Sequence, residues 1–589
     1  MRPVPSPITI AVVRNYLLAA AREMRDTIQR TAVSPIIYDN RDFNCGLLDH
    51  EAGTLAEAPG LTHFMGSLSP GVKRSLTSLP DARLEAGDVF VVAMPDFTGA
   101  HPPDTVVFAP IFDDGHLVAF AASKAHLVDL GAKDPYPTDS TDAFQEGLRL
   151  PPTKLFAAGI LVESVARIIK ANSRAPEAIW GDLMAQIAAL NVGRRSIEQL
   201  MRKYGRETVG DCIQAIYRHS EELTRAAIRK MPAGTFVGTD RMDDNGVEHG
   251  KPVKIEVALT IDPEAGELTF DYSGSDSVQK GPTNCPLLTT ISISRLLGKA
   301  LTDPDSPGNE GAFRPFRVIA PEGSVFNPGT TAPTMLYGWP ARAAVETMLK
   351  TLAPIFPDRV PTCSGGCLVG LMRYGFHPVT GRMWLEGPLE PVGQGASARG
   401  DGESAIANIL SACSTNLPVE VEEAMDPIFV ERYEIRTDTG GPGRYRGGLG
   451  IVRDLRFDAE ASIISTIERG VAVHWGALGG WPGSRNYALL TSARWGEKEI
   501  LKLPATALAP GDRVSIRAGG GGGFGDPLDR EPEAVRVDVR DAYVSSGAAR
   551  DEYGVIFDGS LQVDLVATRE LRDRLRAERG GSTPQTTRP

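Results

Sequence analysis

The chain has 589 residues, 42% hydrophobic and 23% charged, with a formal net charge of −12, which gives room for about four domain-sized units and a large core. That acidity, with no basic stripe longer than a few residues, excludes a protein that binds nucleic acid by neutralising phosphates. No apolar run reaches the ~18 residues of a membrane span, Arg14 interrupts the apolar N-terminal stretch that a leader would need, and the six cysteines are scattered, so a cytoplasmic protein with reduced thiols, off the membrane, is expected.

In chain order, residues 8–32 carry helical periodicity, with Val12, Leu17, Met24 and Ile28 toward a buried face, and Ser34-Pro35 ends the helix. CGLLD and TLAEA then read as hairpin strands around Glu51-Ala52-Gly53. Asp42 stands just ahead of the first strand, and His63 follows in a loop with GSLSPG.

PDFTGAHPPDTVVFAPIFDDGHLVAFAASKAHLVDLGA (95–132) holds three of the nine histidines. His101 and Asp104 flank Pro102 and Pro103, so this HxxD cannot be a helical pair; it belongs to a turn or an extended segment. Thr105–Phe112 and His116–Ser123 read as strands joined by Asp113-Asp114-Gly115, and Pro110 marks an edge or a bulge. Pairing Phe112 with His116 and walking outward sets Asp104 opposite Lys124 and His126 opposite Pro102. Cross-strand neighbours lie about 5 Å apart, so the hairpin returns His126 to the HPPD segment. Two imidazoles and a carboxylate, with no cysteine nearby, suit a divalent Zn, Mn or Fe ion. Ordinary turn and strand-end residues fit the same spacing, and spacing alone leaves both readings open. His116, beside the turn, is expected in solvent.

Leu155 to about Lys230 reads as helical, and at Pro232-Ala233-Gly234 the character changes. Residues 235–275 alternate like strands, helices are expected at 288–302 and Ala341–Ala353, and 425–525 is rich in β pattern and glycine. Two short helices, Pro532–Tyr543 and around Ser546–Tyr553, precede a disordered GGSTPQTTRP tail. The expected fold is α+β: a large multidomain subunit with β-hairpins around a metal site, a helical segment at 155–230 and a β-rich C-terminal half. Composition sets regions at 1–233, 234–424, 425–530 and 531–589.

The glycine-rich stretches do not make a nucleotide site. AGGGGGFGDP (518–527) lacks the GK[ST] of a phosphate loop, and is expected to be a tight backbone crossing that needs positive φ. GGPGRYRGGLG (440–450) opens no helix. VGQGASARGDGES (392–404) is a loop or a pocket wall. Cys363 and Cys367 have no second pair to complete a zinc site, and there is no GxSxG elbow.

Taken together and in order, RDFNCGLLD, PDFTGAHPPD, AASKAHLVDLGA, STDAFQEGLRLPPTKLF, GDLMAQIAALNVG, NEGAFRPFRVIAPEGS, GGPGRYRGGLG and GGGGGFGDPLDREPEAV resemble the hydantoinase B/oxoprolinase family across nearly the whole chain. That family includes B subunits of ATP-dependent N-methylhydantoinases, caprolactamase, the C-terminal half of 5-oxoprolinase, and subunits of acetone and acetophenone carboxylases. The resemblance implies a metal held by Asp42 of the RD[FY] motif together with His101, Asp104 and His126. It implies that Asp129 orients a ligand or solvent, and it makes Asp129 or His63 the candidate proton carrier. ATP would be used by a hydantoinase A-type partner in an α2β2 or larger heteromer. The implied function is ATP-dependent opening of a hydantoin, 5-oxoproline or lactam ring. A biotin-independent, ATP-dependent ketone carboxylase is the alternative, and a non-catalytic scaffold a third. The sequence departs from the family with FTGAHPPD for the common GGTHLPD, with Leu130-Gly131-Ala132 after the second histidine motif, and with NILSACSTNLPVEVEE where relatives carry an HTHMTN-like run; the last change bears on the substrate.

Overall fold

The alternation in CGLLD and in the hairpin strands buries both faces of one sheet. In the computed structural model, which describes residues 5–79, 83–366, 369–411, 414–472 and 474–580, this sheet has seven antiparallel strands. Their spatial order is Thr54–Glu57, Phe43–Asp49, His116–His126, Asp104–Asp113, Val89–Ala93, Leu150–Ala157 and Ile160–Leu161. Leu47, Val91, Val107 and Ala121 face helices Pro7–Thr31 and Pro176–Tyr204, meeting Leu17, Met24, Leu183 and Leu190. Leu48, Phe90, Val106, Phe108 and Phe120 face the helix Leu68–Thr77 through Leu68 and Val72. A period of two along each strand sends neighbours to opposite faces.

A second sheet runs Phe316–Ile319, Glu267–Asp271, Val253–Asp262, Gly234–Met242. Val253, Ile255, Val257, Leu259 and Ile261 turn one face inward, where helices Leu287–Thr302 and Gly338–Leu352 share their core. The third sheet (Met383–Glu386, Leu371–Phe376, Ala461–Thr466, Lys502–Leu508) and the fourth (Ile428–Ile435, Ile451–Phe457, Arg513–Arg517, Tyr487–Ser492, Gly496–Ile500) contribute Leu371, Ile463, Leu455, Val514 and Ile516 to one further core. Residues on either side of 425 therefore build a common sheet and a common core.

Several expectations are corrected. The hairpin turns on two residues, Asp114 (φ 47°) and Gly115 (φ 76°), the left-handed pair that a tight hairpin needs, so Asp113 pairs with His116. Val118 is an extra residue on the second strand, between the pairs Ile111–Ala119 and Phe112–Leu117, and shifts the register again. Asp104 consequently lies opposite His126, not Lys124. Pro110 sits beyond Phe108, the last residue of its strand to pair with Val89–Ala93, where its missing N–H costs nothing. His116 is exposed as expected. Residues 155–161 form a hairpin, not helix: the strand Leu150–Ala157 pairs with Val89–Ala93, Ile160–Leu161 pairs back on it, and the helices begin at Glu163. The two short C-terminal helices span Pro532–Arg540 and Ser546–Asp551, and a third, Leu565–Arg579, follows, capped by Asp564 and ended by Gly580 at φ 52°. Cys367 and residues 581–589 of the expected tail lie outside the described residues.

The glycine run is a crossing, but for a different reason than positive φ. Gly519–Gly523 have ordinary φ; only Gly525 is left-handed, at 75°. A Cβ on Gly521, Gly522 or Gly523 would lie 1.9, 2.0 or 2.1 Å from the carbonyl oxygens of Gln394, Trp475 and Pro442. The strip threads between other backbones and bonds to them through Gly521 N–H to Gly448 O, Gly522 N–H to Cys363 O and Gly523 N–H to Trp481 O. Its amides are spent on protein carbonyls.

A candidate metal centre

The end of the central hairpin carries the site. Asp104 opens one strand and His126 closes the other, on the face shared with Phe108 and Phe120. The chain enters through Gly99 (φ 74°), where a Cβ would stand 2.6 Å from Leu288 Cβ, and this turn delivers His101 beside them. His101 Nε2 is 3.0 Å from Asp104 Oδ1, His126 Nδ1 is 2.8 Å from the same oxygen, and the two nitrogens are 3.0 Å apart. All three residues are buried. Asp42, just before Phe43, accepts the His126 N–H on its carbonyl, which sets it alongside the same strand end. It lines the same small cavity of about 50 Å³, together with His63, Tyr136, Tyr337, Trp339 and Arg342.

The tautomer of His101 follows from its neighbours. Its Nδ1 lies 2.8 Å from the Met335 carbonyl, which can only accept. Nδ1 therefore carries a proton, and Nε2 is the nitrogen turned toward Asp104 and His126. Burial acts to raise the Asp104 carboxyl, but His101 and His126 outweigh it and hold the group well below the usual carboxylate range. Its Oδ2 accepts from the Tyr337 hydroxyl at 2.6 Å. Burial pushes Asp42 up to about 7, with His126 pulling it down and Asp104 pushing it up; its buried Oδ1 has no hydrogen-bond partner among the described residues.

These features fit a cation. Ligand atoms about 2.1 Å from an octahedral ion stand about 3.0 Å apart, and the three contacts of 2.8, 3.0 and 3.0 Å match one face of that figure. Two imidazoles and one carboxylate on one face leave further positions open. The lone Oδ1 of Asp42 is a further donor in the cavity wall.

His63 reaches the cavity with both nitrogens engaged: Nδ1 lies 2.9 Å from the Leu410 carbonyl and Nε2 2.9 Å from Tyr337 Oη. Burial pushes it down to about 3, so it is neutral. Asp129 does not join the site. Its Oδ1 accepts from Arg174 Nη2 at 2.5 Å and from Gly131 N–H at 3.1 Å, its Oδ2 from the Arg174 N–H at 2.5 Å, and it anchors the chain that leaves His126. A carboxylate so occupied is poorly suited to carry a proton. Sequence reasoning missed Met335, Tyr337, Trp339 and Arg342, all from one segment at the start of the Gly338–Leu352 helix. It did point to NILSACS: Asn408 Oδ1 accepts from Arg342 Nε at 3.0 Å, and Ser411 lines the cavity.

The chain matches the family model described as hydantoinase B/oxoprolinase over residues 6–527. It is 32% identical to the B subunit of a putative D-/L-hydantoinase from Pseudomonas sp. (strain NS671), over 96% of this chain and 98% of that one. Its structure superimposes on the crystal structure of the ATP-dependent caprolactamase from Pseudomonas jessenii with a TM-score of 0.88 and 29% identity, covering 97% of this chain and all of the matched one. A nucleotide-free acetone carboxylase structure matches with a TM-score of 0.89 over 98% of this chain and 84% of that one; at 21% identity the likeness is one of fold.

Proposed function

The chain belongs to the hydantoinase B/oxoprolinase family, and from that premise we propose that it is the metal-binding subunit of an ATP-dependent cyclic amidohydrolase that opens a hydantoin, 5-oxoproline or lactam ring. The observation that carries this reading is the triangle of His101 Nε2, Asp104 Oδ1 and His126 Nδ1, 2.8, 3.0 and 3.0 Å on its sides. These residues would hold a divalent Mn, Zn or Fe ion, with Asp42 as a fourth donor. Bound there, such an ion supplies Lewis acidity, which brings the pKa of water toward about 7.

The chain's own residues do the rest. Tyr337 orients Asp104 through its hydroxyl, and neutral His63 offers Nε2 to the same hydroxyl as a proton acceptor. Arg342, in the cavity wall, meets the anionic end of an activated or opened substrate. Asp129 keeps its place with Arg174 and positions the loop behind His126. An amide carbonyl resists attack because resonance stabilises it, so the ring is activated first, by phosphorylation on a hydantoinase A-type partner in an α2β2 or larger heteromer. The relative titled an ATP-dependent caprolactamase supports the use of ATP, and the relative named caprolactamase subunit beta supports a second subunit.

Elemental analysis of the chain purified with its partner tests the reading. Wild type is expected to hold stoichiometric metal, and His126→Ala to lose it while remaining folded. A metal-free wild type, or a variant with unchanged content, overturns the proposal. Turnover that consumes bicarbonate in place of opening a ring would select the ketone carboxylase alternative.

A further inference from the structure

Glu146 has no role in the site as described, yet it is 0% exposed. It ends the short turn Ala143–Glu146, capped by Asp142, whose carboxylate accepts from the Phe144 and Gln145 N–H groups. Gly147 (φ 115°) then reverses the chain against Leu130, 2.7 Å from where a Cβ would stand. This turn points the Glu146 carboxylate inward onto four donors. Oε1 accepts from Ser140 Oγ at 2.7 Å and from the Met335 N–H at 2.8 Å. Oε2 accepts from the Thr334 N–H at 2.7 Å and from Thr334 Oγ1 at 3.2 Å. The same strap grips the segment just upstream, through the Ala143 N–H to Thr331 O at 3.0 Å and Arg149 Nη2 to Thr330 O at 2.8 Å. At its other end Met335 offers its carbonyl to His101 Nδ1 at 2.8 Å.

We infer that Glu146 is a positioning residue for the metal centre: by fixing Thr334 and Met335 it holds the Met335 carbonyl against His101 Nδ1, which keeps the proton there and leaves Nε2 bare toward the ion. The inference rests on the metal reading proposed above. Outer partners of this kind set the orientation and tautomer of a ligating histidine. Glutamine is not equivalent to glutamate here. Whichever way its amide is turned, the NH2 group faces one of the two backbone N–H donors, and the Met335 peptide loses either its anchor or its neighbour's.

The test is Co²⁺ binding to the full chain, prepared with its partner where that is needed, read both as affinity by chelator competition and as the visible d–d spectrum. Glu146→Gln is expected to bind Co²⁺ about ten- to a hundred-fold more weakly, with a shifted spectrum and unchanged circular dichroism. Wild-type affinity and spectrum in the variant would overturn the inference while leaving the metal reading intact. A wild type that takes up no Co²⁺ would sink the metal reading, and this inference with it. Should Glu146→Gln fail to fold, Glu146→Asp keeps the charge and draws the carboxylate back from the Thr334 and Met335 N–H groups. A weaker, spectrally altered site supports the inference, and an unaltered one overturns it.

Discussion

Tyr337 has one hydroxyl proton and two neighbours placed to take it: Asp104 Oδ2 at 2.6 Å and His63 Nε2 at 2.9 Å. His63 Nδ1 faces the Leu410 carbonyl at 2.9 Å, so a neutral ring cannot satisfy both of its contacts while Tyr337 donates to Asp104. A third proton would complete the chain, and the burial that pushes His63 down to about 3 withholds it. The hydroxyl is thus shared between Asp104, the proposed metal ligand, and His63, the proposed base. Tyr337→Phe removes the donor that orients Asp104, and is expected to weaken metal binding by about ten-fold or more while the fold is kept. Chelator competition on wild type and variant measures it; equal affinities would show that Asp104 is oriented without Tyr337. At this scale, legibility followed sequence distance. His101, Asp104 and His126 could be brought together from one local hairpin. Asp42 came only from the family resemblance, because its place depends on the pairing of Phe43 with Ala125. Tyr337, 233 residues from Asp104, could not be brought there by any local pattern. Its one signal is Pro340 just inside the helix Gly338–Leu352, which marks a helix start earlier than the apolar periodicity does.

Among elements, the hairpin and the glycine strip show how a correct type is reached with a wrong detail. The strands were legible from β-branched and aromatic residues, but the register was not, because it hangs on where the turn begins and on one extra residue, Val118. Leu155–Leu161 is a short apolar run of the kind that fits strand or helix alike, and its pairing with Val89–Ala93 and within its own hairpin decided it. The glycine strip carries a direct test of close approach. Gly522→Ala would push a Cβ to 2.0 Å from the Trp475 carbonyl oxygen, a backbone atom with nowhere to go. It is expected to destabilise the fold by about 3 kcal/mol or more, the upper end of overpacking costs. Gly559→Ala, with nothing within 4 Å, is expected to be near neutral. Urea midpoints of the two variants decide; a neutral Gly522→Ala would mean that the strip has slack.

Across the whole molecule, distant segments are joined by buried charge that composition does not reveal. Leu371–Phe376 pairs with Ala461–Thr466 across the composition change at 425, and the two flanking sheets meet around Arg373, Arg453, Glu386, Glu390, Glu422 and Asp426, each at most 4% exposed. Arg453 pairs with Glu390 at 3.0 Å, and both arginines pair with Glu422. Two cations face four carboxylates, so complete ionisation would leave an excess of negative charge in the interior. Burial accordingly pushes Glu386 up to about 7 and Asp426 up to about 6, against the pull of Arg373. The folded chain keeps protons that the unfolded chain releases near the ordinary carboxylate values of about 4, so the stability these two groups contribute is fully present below about pH 4 and is lost as pH rises through 6 and 7. For Glu386 alone, a rise from 4.5 to about 7 corresponds to roughly 3 kcal/mol, at 1.36 kcal/mol per unit. Glu386→Gln resembles the protonated acid at every pH. It is expected to match wild type near pH 4, to exceed it in urea midpoint near pH 8, and to flatten the slope between them. A variant less stable than wild type at the higher pH would mean that the ionised carboxylate is held favourably by Arg373, and that the join between the two sheets is balanced in charge after all.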